Sequence, residues 1–257
     1  MKVPKSMERH VVGCKWKQES IGMSGADVYF LQNPSGSNYY LKKQRIGQPE
    51  MLKAEQERLD WLCDKLPVPD VAAYELAGDT EFLLTTEVKG VHAASSAICA
   101  NAEVSVRLLA HGLKCIHAVS VDDCPFDETL PVKLAEARRR LENDWVDEDD
   151  FDESRVRKTA AELYRELLAL RPSEEDLVFT HGDYCMPNII INHGELGGFI
   201  DWGRAGVSDR YQDLALATRS IAQNYGREWI LPFFRYYGIS YPDEGKIKYY
   251  QLLDEFY

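Results

Sequence analysis

Three polar residues between positions 183 and 201 have side chains that could act together on a phosphate group. Asp183 is followed five residues later by Asn188, and Asp201 ends a predicted β-hairpin. Phosphoryl transfer needs one carboxylate to take the hydrogen bond of an attacking hydroxyl, and hard oxygen ligands to hold Mg²⁺ on the phosphates. Asp183 could serve the first purpose, and Asn188 and Asp201 the second.

Each of these signals is weak when taken alone. The triplet HGD at 181–183 occurs by chance, His181 could be a core histidine, and DWG at 201–203 could be a plain turn. The order and spacing of the whole set, with strands predicted beside it, are those of a kinase catalytic loop followed by its metal-binding aspartate. The set therefore favours phosphoryl transfer over the structural alternatives.

The elements that must position these residues change in type along the chain. Before Gly90 the sequence predicts strands and one helix, at 11–18, 27–32, 38–42 and 82–88 (strands) and 49–66 (helix). Beyond Gly90 it predicts helices at about 97–118, 132–143, 155–170, 210–225 and 243–256, with short strands at 188–192 and 196–200. We expect an α+β fold with two lobes, a small β-rich N-lobe (1–88) and a larger, mainly helical C-lobe (89–257).

The helix predicted at 49–66 carries a carboxylate on its apolar side. Leu59, Leu62 and Leu66 follow Glu55 at i+4, i+7 and i+11. A buried carboxylate is costly unless it is paired, and Lys42, at the end of the preceding strand, is a candidate partner. The alternative is that Glu55 lies at the edge of the apolar stripe and reaches water.

The overall composition excludes several classes of protein. The 257 residues are 45% hydrophobic and carry a net charge of −12, which indicates a folded chain and disfavours nucleic acid and anionic membranes as partners. No run approaches the roughly 20 apolar residues of a membrane span, and the first twelve residues lack the core of a signal peptide. Six cysteines without a C-x-x-C pair predict a cytoplasmic location and no disulfide framework.

A run of acidic residues favours a cationic ligand. Segment 142–153 holds eight carboxylates in twelve residues. Such a run is often only a solvated or disordered loop, but Trp145 and Phe151 within it indicate a face that packs or binds. Clustered carboxylates bind polycations through charge-assisted hydrogen bonds and raise the rate of encounter.

With these motifs in place, the sequence resembles the aminoglycoside 3'-phosphotransferases (kanamycin kinases) over nearly its whole length. The segments that carry the resemblance are HGD…N at 181–188, GFIDWGR at 198–204, DRYQDLALA at 209–217, IGMSGA at 21–26, KLPVP at 65–69 and YYQLLDEFY at 249–257. The resemblance implies a two-lobed, protein-kinase-like fold. It also implies transfer of the γ-phosphoryl group of ATP, with Mg²⁺, to the 3'-hydroxyl of a kanamycin-type aminoglycoside, an activity that confers antibiotic resistance.

The resemblance also implies roles for individual residues at the phosphates. Asp183 matches the catalytic aspartate, and Asn188 and Asp201 match the magnesium ligands. Lys42 matches the lysine that contacts the α- and β-phosphates, and Glu55 matches the glutamate that pairs with it, which favours a buried ion pair over the exposed alternative.

Further positions are implied to bind the nucleotide. Ser24, in the loop between the first two strands, matches a serine that contacts phosphate. Tyr40 matches an aromatic residue that stacks on adenine. Thr86 to Val88 fall where backbone groups bind the edge of the base. The loop contains Gly22 and Gly25 but no complete G-x-G-x-x-G, and no activation-loop insertion follows, so a protein substrate is disfavoured.

The drug is implied to bind at two acidic segments and one arginine. Asp150 and Glu153 fall where the family's acidic insertion contacts it, and Arg204 matches a nearby arginine. Asp254, Glu255 and the carboxylate of Tyr257 match the family's C-terminal tail, and we expect ordinary acids that are ionised at pH 7. The alternative for the tail is a docked amphipathic helix end whose acids point into water.

Two other functions remain open from the sequence. One is a kinase of another small alcohol or sugar, and the other is a catalytically silent module that binds a nucleotide or a polycation. Retention of Lys42, Asp183, Asn188 and Asp201 together argues against the silent module. The chain is expected to be a monomer or a weak homodimer.

Overall fold

The computed structural model describes residues 2–19, 25–99 and 101–257. The chain divides into two units. The first unit is formed by Met1–Val91, Ile190–His193 and Gly197–Arg204. The second unit is formed by His92–Ile189, Gly194–Leu196 and Ala205–Tyr257.

The first unit contains a five-stranded antiparallel sheet and two helices. Its elements are α1 (Lys5–Val11), β1 (Lys15–Glu19), β2 (Asp27–Gln32), β3 (Tyr39–Arg45), α2 (Leu52–Leu62), β4 (Val71–Ala77) and β5 (Thr80–Thr86). The order of the strands across the sheet is β1-β2-β3-β5-β4. Four of the five strands are therefore arranged as two hairpins, β2–β3 and β4–β5, that lie side by side.

The pairing of β3 with β5 shows which side chains lie on each face of this sheet. Leu41 pairs with Leu84, and both belong to the apolar cluster that α1 covers with Met7. Successive side chains of a strand point to opposite faces, so Lys42 lies on the other face, beside its partner Leu83. The helix α2 packs against β3, β4 and β5 and buries Glu55 together with its leucines.

Predictions for this unit were wrong in three places: the start of the first strand, the helix α1 and the strand β4. The strand expected from residue 11 begins only at Lys15, because α1 occupies the chain as far as Val11. A seven-residue helix shows too few turns for its periodicity to be recognised. The strand β4 was not predicted, since the alanines of VAAYELA at 71–77 are poor strand formers.

The second unit is mainly helical. Its helices are α3 (Ser96–Cys99), α4 (Ala102–His117), α5 (Leu130–Glu142), α6 (Ala160–Ala169), α7 (Tyr211–Tyr225), α8 (Ile230–Tyr237) and α9 (Glu244–Asp254). Its short strands β7 (Leu177–Thr180) and β10 (Gly206–Asp209) pair in antiparallel register. The other strands among the described residues are β6 (Val91–His92), β8 (Ile189–Asn192) and β9 (Glu195–Phe199). The turn between β8 and β9 uses two residues with positive φ, His193 at +50° and Gly194 at +82°.

The helix α7 is the central element of the second unit. It packs against α4, α8 and α9, and its residues from Tyr211 to Thr218 are all buried. Because this helix includes Gln212, Asp213 and Thr218 within the buried stretch, their polar groups need partners inside the protein.

The helical predictions for this unit hold with shifted boundaries. The helix expected at 97–118 is divided into α3 and α4, and the Asn101 side chain caps α4 by accepting a hydrogen bond from the amide of Val104. The helix expected at 155–170 begins at Ala160, where Thr159 and Glu162 form a capping box. The helix α8 and the strands β7 and β10 were not predicted. Across the described ranges, no helix has the length and apolar character needed to cross a membrane.

Candidate active site

In the first unit, Lys42 of β3 forms an ion pair with Glu55 of α2. Its ammonium nitrogen lies 2.8 Å from both carboxylate oxygens of Glu55, and it also donates a hydrogen bond to the carboxylate of Asp201. The side chains of Lys42 and Glu55 are 19% and 8% exposed. The structure therefore contains the buried ion pair, and the alternative in which Glu55 reaches water is wrong.

This environment changes the pKa values of both partners. Burial acts to lower the pKa of Lys42, but the carboxylates of Asp201 and Glu55 outweigh it, so the pKa of the ammonium group lies above its usual value. Burial raises the pKa of Glu55, and Lys42 opposes this shift. Lys42 thus remains a cation that is held at a fixed place, as contact with a phosphate requires.

Asp201 adopts a backbone conformation that L-residues rarely take. Its φ is +64°, in the left-handed region, and its side chain is 45% exposed. The next residue, Trp202, is fully buried, and its indole N–H donates to the carbonyl oxygen of Phe199 at 3.2 Å. Trp202 therefore fixes the turn that presents Asp201, at a cost in backbone strain that is typical of functional sites.

In the second unit, Asp183 and Asn188 lie in direct contact. The side-chain amide of Asn188 donates to a carboxylate oxygen of Asp183 at 2.8 Å and to its backbone carbonyl at 3.1 Å. Asn188 is buried, and Met186–Asn188 form a single 3-10 turn. Because the Asn188 N–H groups are used in this way, its amide oxygen remains the atom suited to a metal.

Residues of α7 hold the loop that carries Asp183. The fully buried carboxylate of Asp213 accepts hydrogen bonds from the backbone amides of His181 and Gly182, at 2.7 and 2.8 Å. Gln212 donates to the carbonyl oxygen of Gly182 at 3.1 Å, and Ser220 accepts from the amide of Met186 at 3.1 Å. The loop is thus anchored on both sides of Asp183.

His117 of α4 extends this network away from the loop. One ring nitrogen, Nε2, lies 3.1 Å from the Asp213 carboxylate, and the other, Nδ1, lies 2.7 Å from the hydroxyl of Tyr237. Arg210 donates to the same hydroxyl at 3.1 Å. Both ring nitrogens of His117 are therefore in hydrogen-bond contact with buried partners.

Sequence reasoning gave no role to Asp213, Gln212 or His117. The available signal was the position of two polar residues within the otherwise apolar stretch of α7, YQDLALA at 211–217. A buried helix with a carboxylate in it indicates a carboxylate that bonds to something specific. Its partner loop lies about thirty residues earlier in the chain, which periodicity cannot identify.

The residues expected at the nucleotide base lie together on β3 and at the end of β5. Tyr40 pairs with Thr85 in the sheet, and burial raises the pKa of its phenol. Thr86 donates its amide to the carbonyl of Asp70 at 2.9 Å, and Val88 follows the end of β5. Ser24, expected to contact phosphate, lies outside the described residues. The roles of these four residues stay predictions.

The two acids of the predicted drug-binding insertion are exposed. Asp150 ends a 3-10 turn, Glu148–Asp150, and Glu153 follows the buried Phe151. Trp145 contacts the guanidinium group of Arg139, with 4.7 Å between that group and the ring centroid. The acidic segment is therefore anchored by its aromatic residues while these two carboxylates face solvent.

The acids of the C-terminal tail are paired with arginines instead. Asp254 forms an ion pair with Arg219, and Glu255 lies 2.6 Å from Arg155. Their side chains are only 10% and 3% exposed, so the alternative that places them in water is wrong. Burial raises the pKa of Glu255 to about 7, so the expectation of an ordinary acid is wrong for this residue.

The other two predicted drug contacts also have partners within the protein. The Nε group of Arg204 donates to Glu50 at 2.7 Å in the first unit. In the second unit, the terminal residue Tyr257 lies under the guanidinium group of Arg140, which donates to its backbone oxygen at 3.1 Å. The hydroxyl of Tyr257 donates to the carbonyl of Lys133 at 3.0 Å, so the chain end is held in place.

Each of the two predicted metal ligands carries an oxygen of the kind that Mg²⁺ prefers, although the described residues contain no group of three or more His, Cys, Asp or Glu side chains placed to hold a metal ion. Mg²⁺ in kinases takes only one or two protein ligands and completes its octahedron with phosphate oxygens and water. A half-exposed carboxylate, Asp201, and an amide oxygen, that of Asn188, are ligands of this hard type. They lie in the first and the second unit, respectively.

Known proteins with similar sequences are phosphotransferases. The model of the phosphotransferase enzyme family matches residues 18–250. An aminoglycoside 3'-phosphotransferase from Niallia circulans is 41% identical over 238 residues, which cover 92% of this chain and 90% of the relative.

Solved structures give the same result and confirm the predicted fold class. A crystal structure of an aminoglycoside-3'-phosphotransferase of type VIII is 33% identical, covers 99% of this chain and 100% of its own, and has a TM-score of 0.86. A structure of an aminoglycoside phosphotransferase from Streptomyces rimosus with ADP and streptomycin is 28% identical, with a TM-score of 0.79 and coverage of 94% and 92%. Sequence and structure thus agree, and the chain belongs to the aminoglycoside 3'-phosphotransferase family of phosphotransferase enzymes.

Proposed function

We propose that this protein transfers the γ-phosphoryl group of ATP to the 3'-hydroxyl of kanamycin-type aminoglycosides and thereby confers resistance to them. The observation that carries the proposal is the contact between Asn188 and Asp183, because it orients a carboxylate in the loop where the family has its catalytic aspartate. Family membership supports the class of substrate.

Asp183 acts on the acceptor hydroxyl. With one carboxylate oxygen bonded to Asn188, the carboxylate has a fixed direction, and it accepts the hydrogen bond and then the proton of the 3'-hydroxyl. Positioning of this kind contributes much of the rate in phosphoryl transfer, which needs little covalent help from the protein.

The nucleotide and its metal ion are assigned to four residues, Lys42, Glu55, Asn188 and Asp201. Lys42 binds the α- and β-phosphates, and Glu55 keeps its ammonium group in place at 2.8 Å. Asn188 and Asp201 would hold Mg²⁺, which neutralises phosphate charge when it is bound. Ser24 is assigned to a phosphate, Tyr40 to the adenine ring, and Thr86 to Val88 to the edge of the base.

The acidic surface acts on the cationic drug. Asp150 and Glu153 are exposed and bind ammonium groups directly, and Arg204 is assigned a place near the drug. Asp152 of the acidic segment and the tail acids Asp254 and Glu255 supply three carboxylates against two arginines, so the cluster keeps one negative charge in excess when all are ionised. Tyr257 is assigned to the same drug site.

We place the enzyme in the cytoplasm, where ATP is available and its six cysteines stay reduced. The decisive assay measures Mg²⁺-dependent ATP turnover with kanamycin and with tobramycin, which lacks the 3'-hydroxyl. Turnover with kanamycin alone is the expected result. Turnover with both drugs would move the phosphorylated hydroxyl elsewhere. Turnover with neither, in folded protein that binds ATP, would favour a small-alcohol kinase or a silent module.

A further inference from the structure

Glu81 of β5 is a fully buried carboxylate in the first unit, and it lies close to the Lys42–Glu55 ion pair. Its exposed fraction is 0%. In the register of the sheet it pairs with Gln44 of β3, two residues beyond Lys42 on the same face. An ionised side chain in this position is costly unless its hydrogen-bonding capacity is filled.

Four groups fill that capacity, and all four donate. Gln44 Nε2 and the backbone amide of Leu52 lie 3.1 and 3.2 Å from one carboxylate oxygen. The amide of Lys53 and the hydroxyl of Tyr74 lie 3.1 and 2.8 Å from the other. Two oxygens that accept two bonds each are the full complement of a carboxylate.

Two of these donors are the first amides of α2, which has no cap of its own. The residue before the helix is Met51, whose side chain makes no capping hydrogen bond. The first amides of a helix need acceptors from elsewhere, and a negative charge there also opposes the positive end of the helix dipole. Glu81, on the neighbouring strand β5, provides both the acceptor oxygens and the carboxylate at the start of α2.

The same carboxylate therefore joins the two elements that carry the ion pair. Glu55 lies in the first turn of α2, three residues after Leu52, and Lys42 lies two residues before Gln44 on β3. Gln44 also donates to the carbonyl of Glu50, just ahead of the helix, at 2.7 Å. A shift of the start of α2 along the sheet would break these bonds and separate Glu55 from Lys42.

We propose that Glu81 is a positioning residue which locks the start of α2 to β3, so that the Lys42–Glu55 pair is formed before a nucleotide binds. The proposal rests on the proposed function only in taking Lys42 as a phosphate ligand. A pair that is already assembled loses less entropy on binding, and this improves nucleotide affinity without a new contact.

The substitution Glu81→Gln tests the role of the carboxylate at constant shape. Glutamine replaces one acceptor oxygen with an NH₂ group, which then faces donors. The Tyr74 hydroxyl can rotate and accept a hydrogen bond from the new NH₂ group. The backbone amides of Leu52 and Lys53 can only donate. The side-chain amide of Gln44 could turn its oxygen toward the NH₂ group, but it would then lose its bond to the carbonyl of Glu50. The start of α2 therefore loses at least one hydrogen bond to residue 81, while the packing of the apolar core is unchanged.

Two measurements report on this release without any acceptor drug. Hydrogen exchange of amides 52–55 in the nucleotide-free protein should be faster by about tenfold in Glu81→Gln. The Kd of MgADP, measured by calorimetry, should be weaker by about tenfold, while the KM for kanamycin stays within about twofold. In wild type without nucleotide, amides 52 and 53 should be protected from hydrogen exchange. Exchange of these amides at the rates of unprotected amides would overturn the proposal. This measurement needs only the wild-type protein, so it holds even if the variant does not fold.

Two control variants separate positioning from general loss of stability. Tyr74→Phe removes one bond to Glu81 but leaves both helix amides bonded, so it should keep the affinity for MgADP. Leu31→Ala creates a cavity in the apolar cluster on the other face of the sheet and should lower stability at unchanged Kd. Equal Kd in Glu81→Gln and wild type, or equal weakening in Leu31→Ala, would overturn the proposal. Absence of kanamycin turnover in wild type would instead reject the proposed function. It would leave the test of Glu81 intact, because hydrogen exchange and the Kd of MgADP are measured without an acceptor drug.

Discussion

Asp213 accepts a hydrogen bond from the backbone amide of His181 at 2.7 Å, two residues before Asp183. A second bond, from Gly182 at 2.8 Å, uses the other oxygen of the same buried carboxylate. Bonds from amides to a charged group are stronger than neutral ones, and these two hold the chain where Gly182 takes a φ of +84°. The loop that carries Asp183 is thus fixed by a residue whose carboxylate points to the loop backbone.

Asp213→Asn should reduce turnover through this loop. The new NH₂ group faces backbone donors, so at least one amide loses its acceptor. We expect kcat to fall by about 10²-fold at nearly unchanged KM for ATP, because misplaced catalytic groups lose rate steeply. The free energy of unfolding should fall by about 1–3 kcal/mol, the cost of an unsatisfied buried group. Steady-state kinetics and urea unfolding measure both, with Ser220→Ala as a milder control. A variant with wild-type kcat would contradict this role.

Asp183→Ala tests the assignment of the catalytic carboxylate itself. We expect kcat to fall by roughly 10³-fold or more, since positioning of the acceptor hydroxyl carries much of the rate. Affinity for MgADP should be nearly unchanged because Asp183 is assigned to the acceptor. Single-turnover assays and calorimetry give the two values. Near-normal turnover would remove Asp183 from the mechanism.

Some of the site could be predicted from local patterns and from the resemblance to the family. The spacing placed Asp183 and Asn188 in one site, although no bond between them was predicted, and the apolar stripe with the resemblance indicated the pairing of Lys42 with Glu55. Both contacts are present in the structure, at 2.8 Å. The helical part of the second unit also followed from periodicity, because amphipathic stretches of three or more turns leave a clear signal.

Contacts that join distant segments could not be predicted in the same way. The partners of Glu255 are Arg155 and the amide of Asp152, about a hundred residues earlier in the chain. Such pairings depend on how α9 packs beside the acidic segment, which no local pattern encodes. For this reason the tail acids were expected to be ordinary, whereas the structure buries them in ion pairs.

Asp201→Asn should remove activity and leave the fold nearly as stable as wild type. Asparagine tolerates the left-handed conformation that Asp201 adopts at φ +64°, whereas alanine does not. Asp201→Ala should therefore be less stable than Asp201→Asn by about 1 kcal/mol, although both lose the charged oxygen ligand. Urea unfolding of the two variants and their Mg²⁺-dependent turnover form the test. Equal stability of the two would contradict the argument from backbone strain.

Asp150→Asn and Glu153→Gln should weaken binding of the drug without affecting ATP. Exposed ion pairs contribute about 0.2–1 kcal/mol each, so each change should raise the KM for kanamycin by about 1.4- to fivefold. Since salt screens exposed charges, the effect should shrink as ionic strength rises. Asp122→Asn, an exposed acid in another loop of the same unit, is the matched control and should leave the KM unchanged. An unchanged KM in both test variants would exclude these acids from the drug site.

Glu255 should make stability depend on pH in the range between about 4.5 and 7. Burial raises its pKa from 4.5 to about 7, the Asp152 carboxylate adds to the shift, and the Asp152 amide and Arg155 oppose it. The native state therefore binds the proton more tightly than the unfolded state does. By linkage, the stability that Glu255 contributes is fully present below pH 4.5 and is lost as pH rises through 7.

Glu255→Gln removes this titration and isolates its effect from that of other groups. The difference in unfolding free energy, wild type minus variant, should fall steadily between pH 5 and 8 and then level off, because the neutral glutamine resembles the protonated acid at every pH. Urea unfolding at four pH values measures it, and Glu142→Gln, an exposed acid paired with Arg138, should give a difference that is flat over the same range. A difference for Glu255→Gln that does not change with pH would show that the carboxyl is ionised throughout, held by Arg155 despite its burial.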